Sequence, residues 1–289
     1  MHSLQFEAIG THWQIDISQI EPSHYSSLTV KIHQIIDDFD KVFSRFREDS
    51  LVTHISKKTG TFSLEQSSLD LFKLYFDFYN KTNGLFTPLI GQALSDAGYD
   101  KSYSLKPKRK LITPPNWVEV ISLTGNKLTI LKPSLLDFGA AGKGFLIDLV
   151  GKLLEENNVF EYCIDAGGDM LHSGKEPSIV GLENPTDSTS VIGTIPIRNQ
   201  SICASAGNRR KWDKYHHTLN PKTLSSPDVV IATWVIAKKA QIADALTTCL
   251  ILNPHLDLYQ DYEFECLLLY KNYSVEKTPG FTAELFTTS

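Results

Sequence analysis

Two segments carry residue types whose spacing could do chemistry. In QIADALTTCL, Asp244 and Thr248 stand four residues apart in a helical pattern, so their oxygens share one face and can converge. A carboxylate and a hydroxyl, completed by carbonyls and water, suit a hard cation such as Mg2+. The same spacing also fits an ordinary solvated face opposite Ile242 and Leu246. In LDFGAAGKGFLID, Leu136 to Asp148, glycines and Lys143 sit between an apolar run and a helical pattern. Glycines let a backbone approach a ligand closely, and a helix N-terminus offers N–H groups to a phosphate. The segment is not a Walker loop. The spacing from Gly139 to Gly142 is too short, and Gly144 stands where a hydroxyl should hold Mg2+. It also lacks the G-x-G-x-x-G spacing of a dinucleotide fingerprint. A tight strand-to-helix turn with a surface lysine is the plain alternative.

Three further segments offer polar groups. IDAGGDM places Gly167, Gly168 and Asp169 after an apolar strand pattern, as a backbone wall with one hydrogen-bonding acid or as a simple turn. KYHHTLNPKT holds His216 and His217. Adjacent histidines on a strand diverge and make poor co-ligands, but one could serve as a general base, with His216 in a polar loop. SAGNRRKW supplies Arg209 and Arg210 for phosphate contacts or as solvated charge.

These residues need elements to position them. Residues 4–19 read as one or two strands, and apolar positions from Val30 to Phe46 recur at helical spacing within a helix of about Ser26 to Phe46. A helix over about 69–82 stops at Asn83-Gly84. The Lys- and Pro-rich stretch YDKSYSLKPKRKLITPPNW reads as a loop between lobes. WVEVISL and KLTILK form strands joined at TGN, and a helix of about 142–157 follows the glycine segment. Strands are expected at FEYCIDA, near 178–183 and 191–197, at QSICASA, DVVIATWVIA and FECLLLY, with a helix of about 239–251. The mixture lacks strict βαβ alternation, so the fold class is α+β.

The 289 residues suffice for one large domain or two small ones. The net charge of −5 argues against a broad nucleic-acid footprint. No apolar run reaches membrane-spanning length, and the start lacks the pattern of a signal peptide. The expected location is therefore cytoplasmic, or exported if a leader was removed. Cys163, Cys203, Cys249 and Cys266 are widely spaced without CxxC, which fits free thiols.

The order of these pieces resembles the ApbE family of FAD:protein FMN transferases over nearly the whole chain. The segments that carry the resemblance are Gly10-Thr11 in AIGTHWQIDI, FSRFREDSLVTHIS, GLFTPLI, DFGAAGKGFLID, DAGGD, Ser205 to Arg210, HTLNPKT and ADALTTC. The resemblance implies a single domain over 1–289 with two lobes around a flavin-nucleotide cleft. It implies Mg2+-dependent cleavage of FAD, transfer of FMN to a Ser or Thr of an acceptor protein, and release of AMP. Many members of that family are exported lipoproteins, whereas no lipobox cysteine is seen here, the first cysteine being Cys163, and the charge leads us to expect no nucleic-acid partner. By resemblance, Asp244, Thr248 and the carbonyl of Gly142 hold the metal, and His217 activates the acceptor hydroxyl. Gly139, Gly142 and Lys143 meet the diphosphate and ribityl region. Ser44, Arg45 and Phe46 lie near the adenosine, Gly167, Gly168 and Asp169 meet the flavin, and Arg210 contacts the nucleotide. Departures from the family pattern fall at Ser56, Thr87, Leu89 and Asn220. They leave open an FAD pyrophosphatase giving FMN and AMP, or a non-catalytic flavin-binding protein.

Overall fold

An alternating run of apolar residues sets the first hairpin. β1 (His2–Ala8) and β2 (Thr11–Ile17) pair antiparallel, burying Trp13, Ile15 and Ile17 on one face. Ile9 and Gly10 turn the chain with φ of 46° and 76°, as a two-residue hairpin requires. The structure, a computed structural model, describes residues 2–18, 20–208 and 210–286. Gln19, at the end of the expected first strand pair, and Arg209 lie outside the described residues. The chain divides into two units, each drawn from separated segments: 1–36, 143–209 and 228–289 in the first, 37–142 and 210–227 in the second. Helix α1 (Pro22–Phe43) runs from the first into the second.

The first unit is built on an antiparallel sheet. After β1 and β2 come β6 (Tyr162–Ala166), β7 (Asp169–Ser173), β10 (Gln200–Ala206), β13 (Val230–Ala237), β14 (Phe264–Tyr270) and β15 (Val275–Lys277). Its alternation decides what each face touches. From β10, Cys203 and Ser205 face helix α7 (Ala240–Leu252): the Cys203 thiol reaches the Ala240 carbonyl at 3.5 Å, and the Ser205 and Thr247 hydroxyls meet at 2.8 Å. Helix α6 (Gly142–Glu156) packs on β6 and β7 at Gly151, where a Cβ would stand 2.7 Å from the Leu171 side chain. From the opposite face, Ile202, Trp234, Ile236 and Leu267 pack against Leu182, Ile195 and Ile197 of the ribbon β8 (Ser178–Asn184), β9 (Asp187–Ile197) and β16 (Glu284–Leu285).

The second unit has an aromatic core. Helix α3 (Gln66–Lys81) buries Phe72, Tyr75 and Phe78, which meet Phe86 and Phe138 at centroid distances of 4.8–5.1 Å. Tilted and edge-on pairs of this kind add to area burial. The unit also holds helices α2 (Leu51–Ile55) and α4 (Gly91–Asp96), a 3-10 turn at Pro88–Ile90 and a small sheet. That sheet comprises β3 (Gly60–Ser63), β4 (Ile121–Thr124) and β5 (Lys127–Ile130). A second cluster joins Ala93, Leu94 and Tyr99 to Trp212, Tyr215 and Leu219 around the hairpin β11 (Lys211–Trp212) and β12 (Tyr215–His216).

The α+β expectation holds. Two local expectations do not. WVEVISL opens as a short helix, α5 (Trp117–Val120), because Trp117 and Val120 are buried one turn apart before the strand alternation starts at Ile121. The Lys-rich stretch lies wholly inside the second unit and does not run between units.

Candidate active site

In the first unit, α6 and α7 bring the two most informative motifs together. Asp244 is buried, 5 % exposed, and its Oδ2 accepts the Gly144 N–H at 2.8 Å. Gly144 has no room for a side chain: a Cβ would stand 2.3 Å from the Ala240 carbonyl oxygen and 2.7 Å from the Asp244 Cβ. The last glycine of GAAGKG thus permits close packing of two helices. Asp148, one turn further along α6, caps α7, whose own Lys239 supplies no side-chain cap. Its Oδ1 and Oδ2 accept the N–H groups of Ala240 and Gln241 at 2.9 and 3.0 Å. Burial raises the Asp148 carboxyl to about 6, against the pull of those two N–H groups.

Lys143 joins this cluster. Its Nζ lies 2.5 Å from Asp169 Oδ2 and 3.1 Å from the Ala166 carbonyl. Asp169 is 1 % exposed, and its Oδ1 accepts the Ala204 N–H at 2.9 Å. Both oxygens are therefore engaged inside the protein, and Asp169 anchors the lysine instead of presenting an acid to a ligand. Burial works to lower the Lys143 ammonium, but Asp169 and then Asp244 outweigh it and hold it charged. Burial, then the nearby Asp169, push the Asp244 carboxyl well above the usual range, while Lys143 and the Gly144 N–H pull the other way. Asp244 thus lies within electrostatic reach of an ammonium already paired with Asp169. Such an acid-rich, partly compensated pocket fits an added cation. Thr248, half-buried, follows Asp244 by one turn and offers a second hard oxygen. Among the described residues, no group of three or more His, Cys, Asp or Glu side chains is placed to hold a metal, so any cation here rests on this carboxylate–hydroxyl set.

The glycine pair forms the β6–β7 turn. Gly167 and Gly168 have φ of 64° and 95°, and Ala166 pairs with Asp169 across them. A Cβ on Gly167 would fall 2.0 Å from the Thr11 hydroxyl, which ties the GT motif of β2 to this turn.

In the second unit, Arg45, Asp137 and the GAAG turn form one network. Asp137 Oδ2 takes the Arg45 Nε at 2.5 Å, and its Oδ1 accepts the Gly139 N–H at 2.8 Å. The Arg45 Nη2 donates to the Tyr99 carbonyl at 2.7 Å. The guanidinium is buried and sits 4.3 Å from the Phe46 ring centroid and 4.9 Å from that of Tyr99. Its role here is to shape the turn. The Ala140 and Ala141 N–H groups both donate to the Tyr75 hydroxyl at 3.1 Å, and the Gly142 N–H to Phe138 at 2.8 Å. This corrects the idea of a turn with unpaired N–H groups for phosphate: those of residues 139–142 are taken within the protein.

Ser44 is half-buried and ends α1, its N–H on the Asp40 carbonyl. Phe46 stacks on Tyr103 at 5.3 Å, and the Arg210 Nη1 donates to the Tyr99 hydroxyl at 2.9 Å. His216 is no loop residue. It lies in β12, buried, with Nε2 2.9 Å from the Pro227 carbonyl and Nδ1 accepting from Thr218. His217 follows half-buried, its backbone N–H on the Arg210 carbonyl. The departures do local work. Thr87 caps the 3-10 turn, Ser56 donates to Thr53, and the Asn220 side chain accepts the N–H groups of Lys222 and Thr223. Leu89 is buried.

The family model described as "ApbE family" matches residues 9–266. The chain belongs to the ApbE family. A FAD:protein FMN transferase of Klebsiella pneumoniae (strain 342) is 22 % identical over 275 residues, covering 87 % of this chain and 78 % of that protein. One from Haemophilus influenzae is 24 % identical over 278 residues, covering 86 % and 80 %. Among solved structures, the flavin transferase ApbE from Vibrio cholerae superposes with a TM-score of 0.80 at 20 % identity, and the ApbE protein from Thermotoga maritima with 0.83 at 22 %. Each alignment covers 97 % of both chains, which establishes the shared fold.

Proposed function

We infer that this chain is a FAD:protein FMN transferase that uses Mg2+ and modifies a Ser or Thr of an acceptor protein. One observation carries the reading beyond family membership: ADALTTC and GAAGKG meet at the Gly144–Asp244 hydrogen bond, where a buried carboxylate is under-compensated. Asp244 and Thr248 are the proposed metal ligands, and by resemblance the Gly142 carbonyl, one peptide ahead of Lys143, completes them. Bound Mg2+ would neutralise charge on the FAD diphosphate, which phosphoryl chemistry needs more than covalent help. Lys143, fixed by Asp169, adds a positive charge of defined position. By resemblance, the turn at Gly139 would meet the diphosphate and the turn at Gly167 and Gly168 the flavin. By resemblance, Ser44, Phe46 and Arg210 would lie toward the adenosine. His217 takes the proton of the acceptor hydroxyl, whose oxygen then bonds to the FMN phosphorus. The bond from that phosphorus to the bridging oxygen breaks, and AMP leaves with that oxygen.

The test is incubation with FAD and Mg2+, with and without an acceptor protein. Transfer predicts covalent flavin fluorescence on the acceptor and stoichiometric AMP. Free FMN formed equally well without acceptor would replace transfer by pyrophosphatase activity. Intact FAD in both arms would leave only flavin binding.

A further inference from the structure

The segment from Leu105 to Ile112 is unused by the chemistry above, and its composition is unlike the rest of the chain. Lys106, Lys108, Arg109 and Lys110 fall within five residues of a protein whose net charge is −5. Lys108 is held by Asp96 at 2.8 Å, whereas Lys106, Arg109 and Lys110 are exposed. Apolar side chains flank them in the open: Leu105 is 44 % exposed and Ile112 58 %.

The loop is braced into this display. Both carboxylate oxygens of Asp100 accept from Ser102 or Ser104. The Leu105 N–H reaches the Gly98 carbonyl at 2.9 Å, the Lys108 N–H the Asp96 carbonyl at 2.7 Å, and the Ile112 N–H the buried Asp96 carboxylate at 3.2 Å. Leu105 is held at a φ of 53°, which a leucine rarely adopts. A backbone strained to hold an apolar residue in water, next to a run of exposed cations, is poorly explained by stability alone.

We propose that Leu105–Ile112 is a docking surface for an anionic lipid membrane. The cations suit the charge of such a surface, and the net acidity of the chain makes a compact basic patch its means of approach and orientation. Long Lys and Arg stems keep their heads among lipid headgroups while Leu105 and Ile112 enter the acyl boundary. Each basic residue near such a surface contributes about fivefold in partitioning, so three supply on the order of 100-fold.

The test is co-flotation of the full chain with vesicles of phosphatidylcholine alone or of equimolar phosphatidylcholine and phosphatidylglycerol. Binding to the anionic vesicles, released by salt and absent on neutral ones, is expected. The triple variant Lys106→Gln, Arg109→Gln, Lys110→Gln should lose on the order of 100-fold. Ile112→Ser alone should weaken binding, with an unchanged melting temperature in both. Equal binding to both vesicle types, or none to either, would overturn the proposal. Salt-sensitive binding to polyglutamate without vesicle binding would assign the patch to an acidic protein instead. None of these outcomes depends on flavin chemistry.

Discussion

At Asp244 the stability of the apo-fold and the proposed metal role pull in opposite directions. Its carboxyl is raised above 3.8 by burial and by Asp169, so the folded apo-protein holds the proton more tightly than the unfolded chain does. Stability from this group is therefore greatest at low pH and falls as pH rises above about 3.8 toward its folded value. Asp244→Asn should remove that slope and leave apo stability at neutral pH equal or higher, while abolishing the Mg2+-induced thermal shift and FAD cleavage. Calorimetric scans with and without Mg2+ check both, and an unchanged metal-induced shift would refute the ligand role. His217→Asn should spare that shift and FAD binding but slow acceptor flavinylation by about 10²–10⁴-fold in single-turnover assays. Lys143→Met strands the buried Asp169, and urea titration should show a loss of roughly 3 kcal/mol. The sequence made the Asp244–Thr248 pair legible through its helical spacing. It did not show that Asp244 is buried, or that the Tyr75 hydroxyl takes two N–H groups of the glycine turn. Those facts depend on partners 100 and about 65 residues away in the chain, and local periodicity carries no trace of them.

At the scale of elements, α7 is positioned by α6, through a glycine that lets it close in and an acid that caps it. Gly144→Ala would force backbone apart, since Ala240 and Asp244 leave no space for a methyl group. Overpacking of this kind typically costs about 1–3 kcal/mol, and chemical denaturation should read it together with reduced flavinylation. Asp148 makes a pH-dependent contribution. Its carboxyl is raised from 3.8 to about 6, so between those values the folded state holds a proton that the unfolded state has lost. Stability then falls with rising pH across that window, by about 3 kcal/mol at most, and is level above it. Asp148→Asn should flatten this part of the profile, which paired melts at pH 4, 5, 6 and 7 would show. Long helices and hairpins with a strong turn signal were readable in advance, as at Asn83-Gly84 and Gly125-Asn126. β7 was not, because DMLHS lacks alternation and becomes a strand only between β6 and β10. The turn of α5 was hidden by its β-branched residues, whose strand preference is overridden by burial of Trp117.

At the scale of the whole molecule, each unit depends on pieces far apart in the chain. A fragment of residues 37–142 lacks Trp212, Tyr215 and Leu219 from one of its cores. It should lack a cooperative melt, and attaching residues 210–227 through a flexible linker should restore one. The main sheet carries the same dependence further. β2 pairs with β6, Ile17 opposite Tyr162, and the intervening chain includes most of the second unit. During synthesis the N-terminal hairpin therefore leaves the ribosome long before its partner strand exists. Until then β2 waits with an open edge and with Trp13, Ile15 and Ile17 uncovered, the kind of surface that nascent-chain chaperones hold and that aggregates when they are scarce.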